Sequence, residues 1–144
     1  MGARILCIGD VHLGRRPGRL PSDVLGELGV DIAELSPAAA LNAAIEEAIR
    51  REVAAVCFAG DVVESANEVF EAYGLLERAL GRLAEAGIPA FAVAGNHDVR
   101  ALPRLADESA HLTLLGRSGR WESVPVTHEG ERVATLVGWS FPHR

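Results

Sequence analysis

The segment Val53-Ala-Ala-Val-Cys-Phe-Ala-Gly-Asp61 is apolar for seven residues and then changes at once to glycine and aspartate. Arg4-Ile-Leu-Cys-Ile8 leads in the same way into Gly9-Asp10-Val11-His12. Ile88-Pro-Ala-Phe-Ala-Val-Ala94 leads into Gly95-Asn96-His97-Asp98. Strands that are covered on both faces are apolar throughout instead of alternating. The three segments therefore predict buried strands, each followed by glycine and polar side chains.

Helical periodicity occupies the two segments between these strands. Ser36-Pro37 is typical of an N-cap followed by proline at the first helical position, and an apolar stripe follows at Leu41, Ile45, Ala48 and Ile49. A second helix is expected over residues 67–85, with Gly87 at its C-cap and a stripe at Val69, Tyr73, Leu76, Leu80 and Leu83. The alternation of strands and helices predicts an α/β fold, a mostly parallel sheet with flanking helices.

The pattern changes downstream of the third strand. A short helix is expected over residues 102–108 and a short strand over 111–115. Residues 122–127 and 132–139 have the pattern of a hairpin. Residues 14–35 are interrupted by proline and glycine, and they predict a loop with at most a short helix.

The composition restricts the class of protein. A chain of 144 residues with 49% hydrophobic and 24% charged residues suits one globular domain over residues 1–144. A net charge of −6 argues against a general nucleic-acid-coating protein. All 14 basic residues are arginine, which excludes P-loop and Schiff-base chemistry that depends on lysine. The apolar runs fall well short of the roughly 20 residues of a membrane helix, so no membrane association is expected.

The two cysteines lie far apart in the sequence and form no CxxC motif. Cys7 and Cys57 both fall inside predicted strands, where reduced, buried thiols are expected. Reduced thiols indicate a cytoplasmic protein.

The polar residues that follow the three strands are candidate metal ligands. The carboxyl ends of neighbouring parallel strands meet at one edge of a sheet, where ligands bind. We therefore expect Asp10, His12, Asp61, Asn96 and His97 to face one crevice. Carboxylate, imidazole and amide donors suit manganese, iron or zinc better than calcium.

These motifs resemble a known family. Asp10-Val-His12, Gly60-Asp61-Val-Val-Glu64 and Gly95-Asn-His-Asp98 are similar to the first three motifs of the calcineurin-like metallophosphoesterases. Asp10-Val-His-Leu-Gly14, followed by Arg15 and Arg16, most resembles the DNA repair exonucleases of the SbcD type. The resemblance implies the first half of a four-layer α/β/β/α fold, and metal-dependent hydrolysis of phosphodiester bonds in DNA.

The resemblance also implies a role for each residue. Asp10 and His12 bind a first divalent ion, Asp61 bridges two ions, and Asn96 binds the second, with Mn²⁺ as the expected metal. His97 contacts the scissile phosphate and assists the leaving oxygen. These roles agree with two-metal chemistry, in which paired ions clamp the attacking and leaving oxygens.

The chain departs from the family pattern at the end of the second motif. Many relatives have an aspartate there that orients the catalytic histidine, whereas this chain has Glu64. Glutamate is one methylene longer, so its pairing with His97 is an open expectation. Asp98 is the alternative partner, unless it only caps the following turn.

The second departure concerns histidine ligands. The family completes its centre with a Gly-His motif and a His-x-His motif, and neither occurs among His111, His128 and His143. Structural positions are expected for all three, before a strand, in the hairpin turn and at the end of the chain. The expected consequence is a domain without its C-terminal half that binds one ion weakly and has little activity. Apolar surface near residues 133–139 is then expected to be exposed, which favours self-association into a homodimer.

Arg15, Arg16 and Arg19 follow the first motif closely. They are candidates for contacts with DNA phosphates, or else they lie on a solvated loop.

In the exonuclease branch the nuclease works with a long coiled-coil ATPase, so the resemblance implies such a partner. Two alternatives stay open, namely a phosphoesterase acting on small nucleotides and a non-catalytic scaffold with the same fold.

Overall fold

The computed structural model describes residues 2–15, 26–27, 29, 31–64 and 69–142. Arg16, Arg19 and His143, which the sequence singled out, lie outside the described residues.

Four parallel strands form the central sheet. They are β1 (Ile5–Ile8), β2 (Ala55–Phe58), β3 (Ala90–Ala92) and β4 (Leu112–Leu114), hydrogen-bonded in this order. The first three are the strands predicted from the apolar segments, and β4 is the predicted short strand. The expected α/β class is therefore confirmed.

In the described part of the chain, three helices of defined bounds connect these strands. The first, α1 (Pro37–Arg50), begins at Ser36, whose Oγ accepts a hydrogen bond of 3.1 Å from the Ala39 amide. The second is α2 (Val69–Glu85), and Gly87 follows it with a φ of +71°, as a C-cap glycine should. The third is α3 (Ala101–Glu108). Two short 3₁₀ turns lie at Ile32–Leu35 and Arg117–Gly119.

One face of the sheet packs against all three helices. Since the strand order follows the chain order, every crossover steps in the same direction, and right-handed crossovers then place their helices on the same side. One buried cluster joins this sheet face to the helices, and it includes Val56, Phe58, Ala90, Ala92, Leu41, Ile45, Leu76, Leu80 and Leu102. This core holds the strand ends at fixed spacing.

The other face of the sheet is covered by a β-hairpin. Its strands, β5 (Glu122–His128) and β6 (Glu131–Gly138), are antiparallel and agree with the predicted hairpin to within a residue at each end. A second, smaller buried cluster of Ala54, Ala55, Phe91 and Val126 lies between hairpin and sheet.

The hairpin leaves part of this face open. Cys7, which was expected to be buried, is exposed, and its neighbour in register, Cys57, is half-buried. The prediction was wrong for Cys7 because an apolar strand can still lie at the edge of a sheet whose second face is only partly covered. Both thiols are free, as expected.

Apolar exposure near residues 133–139 is confirmed, with Val137 62% accessible. No helix in the described part of the chain is long and apolar enough to span a membrane.

Candidate metal centre

The loops after β1 and β2 run side by side at the carboxyl edge of the sheet. The amide of Asp10 donates to the carbonyl of Gly60 at 3.2 Å, and that of His12 donates to the carbonyl of Asp61 at 2.9 Å. These bonds extend the pairing of the two strands past their ends. They hold the residues of the first motif next to those of the second.

Three candidate ligands have a left-handed backbone. The φ angles are +52° at Asp10, +51° at His12 and +51° at Asp61. Non-glycine residues seldom occupy this region, and they persist there only where the surrounding structure imposes it. The coincidence of three such residues at one edge of the sheet is typical of a functional site.

The side chains of these three residues converge. One ligand atom each from Asp10, His12 and Asp61 lie within 4.8 Å of one another, and His12 Nε2 is 3.7 Å from Asp10 Oδ1. The Asp10 side chain is 82% exposed, so the cluster opens to solvent. Two carboxylates and one imidazole are donors that manganese, iron and zinc accept. The residues therefore fit a divalent cation, and the convergence expected from the sequence is present.

The loop after β3 joins this cluster through Asp61. Oδ1 of Asp61 accepts a hydrogen bond of 3.0 Å from the His97 amide. A Cβ added at Gly95 would lie 2.1 Å from the same oxygen, so the close approach depends on glycine at that position. Asn96 lies between these two residues on the loop and is exposed.

Glu64 contacts two imidazoles at once. Its Oε2 lies 2.8 Å from Nδ1 of His12, and its Oε1 lies 3.0 Å from Nδ1 of His97. The two rings are edge to face, with centroids 5.0 Å apart. An ionised carboxylate only accepts hydrogen bonds, so both Nδ1 atoms donate and both Nε2 atoms are left free to accept or bind.

The charge state of Glu64 follows from these contacts. The hydrogen bond from His97 lowers the pKa of the Glu64 carboxyl, and the bond from His12 acts in the same direction. One ligand atom each from His12, Glu64 and His97 also lie within 4.8 Å of one another, and the direct hydrogen bonds of Glu64 to both rings explain this closeness. Glu64 is thus paired with His97 despite its extra methylene.

Asp98 is a brace between loops and does not pair with His97. The side chain is completely buried, with Oδ2 accepting from the amide of Val62 at 2.7 Å and Oδ1 from that of Gly95 at 2.7 Å. Burial raises the pKa of the Asp98 carboxyl, and the amide hydrogen bonds oppose that rise. The structure therefore corrects the expectation that Asp98 orients the catalytic histidine, because both of its oxygens are occupied by backbone amides.

Two other histidines of the described part of the chain lie at the opposite edge of the sheet. His111 directly precedes β4 and lines a cavity with Gly87 and Pro89. His128 ends β5 and lines another cavity with Arg4 and Arg51. Both have the structural positions predicted for them, and neither belongs to the cluster around Asp61.

Of two further residues near the centre, Arg15 and Ser140, the sequence predicts a role for Arg15 alone. Arg15, a predicted phosphate contact, is exposed, and its amide closes a turn onto the His12 carbonyl at 3.0 Å. Ser140 was not predicted. It is buried, and its Oγ accepts from the Ala94 amide at 2.8 Å and donates to the Leu115 carbonyl at 2.5 Å. A single serine carries no pattern that identifies such a role.

Comparison with known proteins agrees with this geometry. Residues 3–141 match the family described as calcineurin-like phosphoesterase. The chain is 32% identical over 119 residues to the DNA double-strand break repair protein Mre11 of Methanosarcina mazei, an alignment covering 81% of this chain and 17% of that protein. It is 30% identical over 100 residues to the uncharacterized metallophosphoesterase YhaO of Bacillus subtilis, covering 69% of this chain and 24% of that protein. The chain thus spans at most about a quarter of the length of these curated relatives. It belongs to the calcineurin-like phosphoesterase family, whose members hydrolyse phosphate esters with divalent metals.

Proposed function

We propose that this chain provides the first part of the catalytic centre of a metal-dependent phosphodiesterase that acts on DNA during repair. The observation that carries the proposal is the cluster of Asp10, His12 and Asp61, whose ligand atoms lie within 4.8 Å of one another. The similarity to a protein named for double-strand break repair supports DNA as the substrate.

The donor set defines where divalent ions bind. Asp10, His12 and Asp61 hold the first ion, and Asp61 and Asn96 contribute to a second. Mn²⁺ is our first choice, and iron and zinc suit the same donors. Such ions, when bound, neutralise phosphate charge and polarise the bond to be broken.

His97 and Glu64 handle the proton on the leaving oxygen. The His97 side chain is 41% exposed, and its Nδ1 is held by Glu64 at 3.0 Å. Its Nε2 is therefore available to contact the scissile phosphate, and when the ring is protonated on both nitrogens Nε2 carries the proton that is donated to the leaving oxygen. Glu64 fixes the tautomer and orientation of the ring, as a carboxylate partner does in other acid–base pairs.

The contacts with DNA extend beyond the metal cluster. Arg15 is exposed one turn from His12, and Arg16 and Arg19 follow it in the sequence. We assign these guanidinium groups to the phosphates that flank the scissile bond. The resemblance to the exonuclease branch implies a coiled-coil ATPase as partner. We further propose a cytoplasmic protein, which the free thiols and a DNA substrate support.

The second ion needs further ligands. Because His111 and His128 lie at the opposite edge of the sheet, they do not supply them. We therefore propose that the complete domain takes its remaining histidine ligands from residues beyond the described part of this chain. On its own, the 144-residue chain then binds one ion weakly and has low activity.

The exposed apolar surface is the proposed site of self-association. Trp121 is 73% accessible and Val137 is 62% accessible, on the side of the molecule that the hairpin forms. Sedimentation should detect a dimer at high protein concentration, and a monomer at every concentration would contradict this part of the proposal.

A cleavage assay tests the function itself. Linear DNA, bis(p-nitrophenyl) phosphate and a cyclic nucleotide are incubated with the chain and Mn²⁺, alongside Asp61→Asn and His97→Ala. Slow Mn²⁺-dependent cleavage of DNA, abolished by either substitution, supports the proposal. Cleavage confined to the cyclic nucleotide indicates a small-nucleotide phosphoesterase. No cleavage together with no Mn²⁺ binding indicates a scaffold, although the left-handed backbone at three ligands argues against that outcome.

A further inference from the structure

A groove lies beside the candidate metal centre and is distinct from it. It has a volume of about 420 Å³ and is lined by Arg100, Pro103, Leu114, Arg117, Phe141 and Pro142, among others. The groove adjoins the motif Gly95–Asp98, since Val99 and Arg100, which directly follow that motif, are among its lining residues.

Ser140 and Phe141, which also line the groove, are bonded to the residue that leads into the loop carrying Asn96 and His97. The Phe141 amide donates to the Ala94 carbonyl at 3.0 Å, and the Ser140 hydroxyl accepts from the Ala94 amide at 2.8 Å. Ala94 is only two residues before Asn96. The groove and the metal centre are therefore held together by the same backbone.

The lining combines an aromatic ring with positive charge. Phe141 is 47% exposed, and its ring contacts that of Trp139 edge to face with centroids 5.1 Å apart. Arg100 is exposed, and Arg117 is partly exposed with Asp107 at 2.7 Å from its guanidinium. Among the described residues that line the groove, none is acidic, in a chain whose net charge is −6. The groove therefore offers an aromatic ring and the Arg100 guanidinium, whereas the charge of Arg117 is paired with Asp107.

We propose that this groove binds the nucleotide next to the scissile phosphate of single-stranded DNA, with its base on Phe141 and its phosphate at Arg100. Aromatic rings and guanidinium groups are the elements by which proteins bind single strands without strict sequence preference. A small phosphodiester has no flanking nucleotide, so the groove favours DNA over such substrates. The choice of DNA as the ligand rests on the proposed function.

Binding of a labelled oligonucleotide tests the groove without requiring catalysis. Fluorescence anisotropy follows binding of fluorescein-labelled oligo(dT) of roughly ten nucleotides, a length within the usual range for single-strand sites. Phe141→Ala and Phe141→Leu should each weaken binding about tenfold, the scale of one lost base stack. Arg100→Gln should reduce the slope of log affinity against log salt by about 0.7, as expected for one phosphate contact on a single strand.

Matched controls separate the groove from general effects. Leu35→Ala removes an exposed apolar side chain, and Arg82→Gln removes a helix charge, both outside the groove lining, and neither should change affinity beyond about twofold. An abasic strand of the same length should bind the wild type and Phe141→Ala equally. Thermal melting of each variant establishes that it is folded, which the exposure of Phe141 favours.

The outcomes distinguish this proposal from the function on which it rests. The proposal that the groove binds a nucleotide is rejected if the wild type does not bind the oligonucleotide or if the Phe141 and Arg100 variants bind like the controls. It is also rejected if the abasic strand binds as tightly as oligo(dT). Mn²⁺ binding is measured on the same preparations. Groove-dependent DNA binding without Mn²⁺ uptake would leave this proposal standing while the metal centre fails.

Discussion

Glu64 Oε1 lies 3.0 Å from Nδ1 of His97, and this hydrogen bond joins the end of the second motif to the third. The other oxygen of the same carboxylate lies 2.8 Å from Nδ1 of His12. A residue one methylene longer than the aspartate of many relatives therefore reaches two rings. One side chain positions both a metal ligand and the proposed general acid.

Replacing Glu64 should weaken the metal site without removing a ligand. Glu64→Gln leaves one acceptor oxygen for two Nδ1 donors, so one ring faces an amide NH₂ and the shared contact that orients His12 and His97 is lost. Loss of such a partner usually costs about tenfold or more in metal affinity. Calorimetric titration with Mn²⁺ measures this, with the exposed Glu46→Gln as the control. Equal Mn²⁺ affinity in Glu64→Gln and wild type would show that the carboxylate does not position His12.

Gly95→Ala should displace Asp61. The new Cβ would lie 2.1 Å from Asp61 Oδ1 and 2.7 Å from the Asp61 amide, closer than any real Cβ contact. The carboxylate must move away from its place beside Asp10, so we expect Mn²⁺ binding to be lost. Gly81→Ala on α2 is the matched control, since nothing lies within 4 Å of its Cβ and the helix should gain up to about 1 kcal/mol. Retention of Mn²⁺ binding by Gly95→Ala would mean that the loops are looser than the structure indicates.

Asp98→Ala should destabilise the fold. Two buried backbone amides, those of Val62 and Val63, and the partly buried amide of Gly95 lose their acceptor. Leaving a buried donor unpaired costs about 1–3 kcal/mol, so a loss of at least about 2 kcal/mol in the free energy of unfolding is expected. Urea unfolding measures it. Asp107→Asn, which removes an exposed partner of Arg117, should change that free energy by less than about 1 kcal/mol. Similar losses in both variants would contradict the role of Asp98 as a brace.

The two thiols should differ in reactivity. Cys7 is exposed, whereas burial raises the pKa of the Cys57 thiol to about 11. At pH 8 only about one Cys57 thiol in a thousand is then ionised, and the thiolate is the reactive form. Iodoacetamide should therefore modify Cys7 first, as peptide mass spectrometry would show, and Cys7→Ala should be nearly inert. Equal modification rates at Cys7 and Cys57 would contradict the difference in burial between the two thiols.

Much of the fold and of the centre follows from the sequence because both depend on local pattern. Continuous apolar segments predict buried strands, and parallel strands place their carboxyl ends at one edge whatever lies between them in the chain. The convergence of Asp10, His12 and Asp61 is therefore predictable from the order of elements alone.

The remaining features depend on contacts between residues distant in the sequence. The contact of Glu64 with two rings depends on its side chain reaching His12, which is 52 positions away in the sequence, and His97, which is 33 positions away. The bracing role of Asp98 depends on which backbone amides are left unpaired in the loop after β2. The exposure of Cys7 depends on how far the β5–β6 hairpin extends across the sheet. No local periodicity encodes any of these.

The proposed function depends on a cation site formed by Asp10, His12 and Asp61. Calorimetric titration of the wild-type chain and of Asp61→Asn with Mn²⁺ tests it most directly, since asparagine keeps the oxygen that accepts from the His97 amide and removes the charge. We expect uptake of one ion by the wild type and, in Asp61→Asn, uptake that is lost or weakened at least about tenfold, with unchanged melting of the metal-free proteins. Equal uptake by both proteins, or none by the wild type at millimolar Mn²⁺, would contradict it.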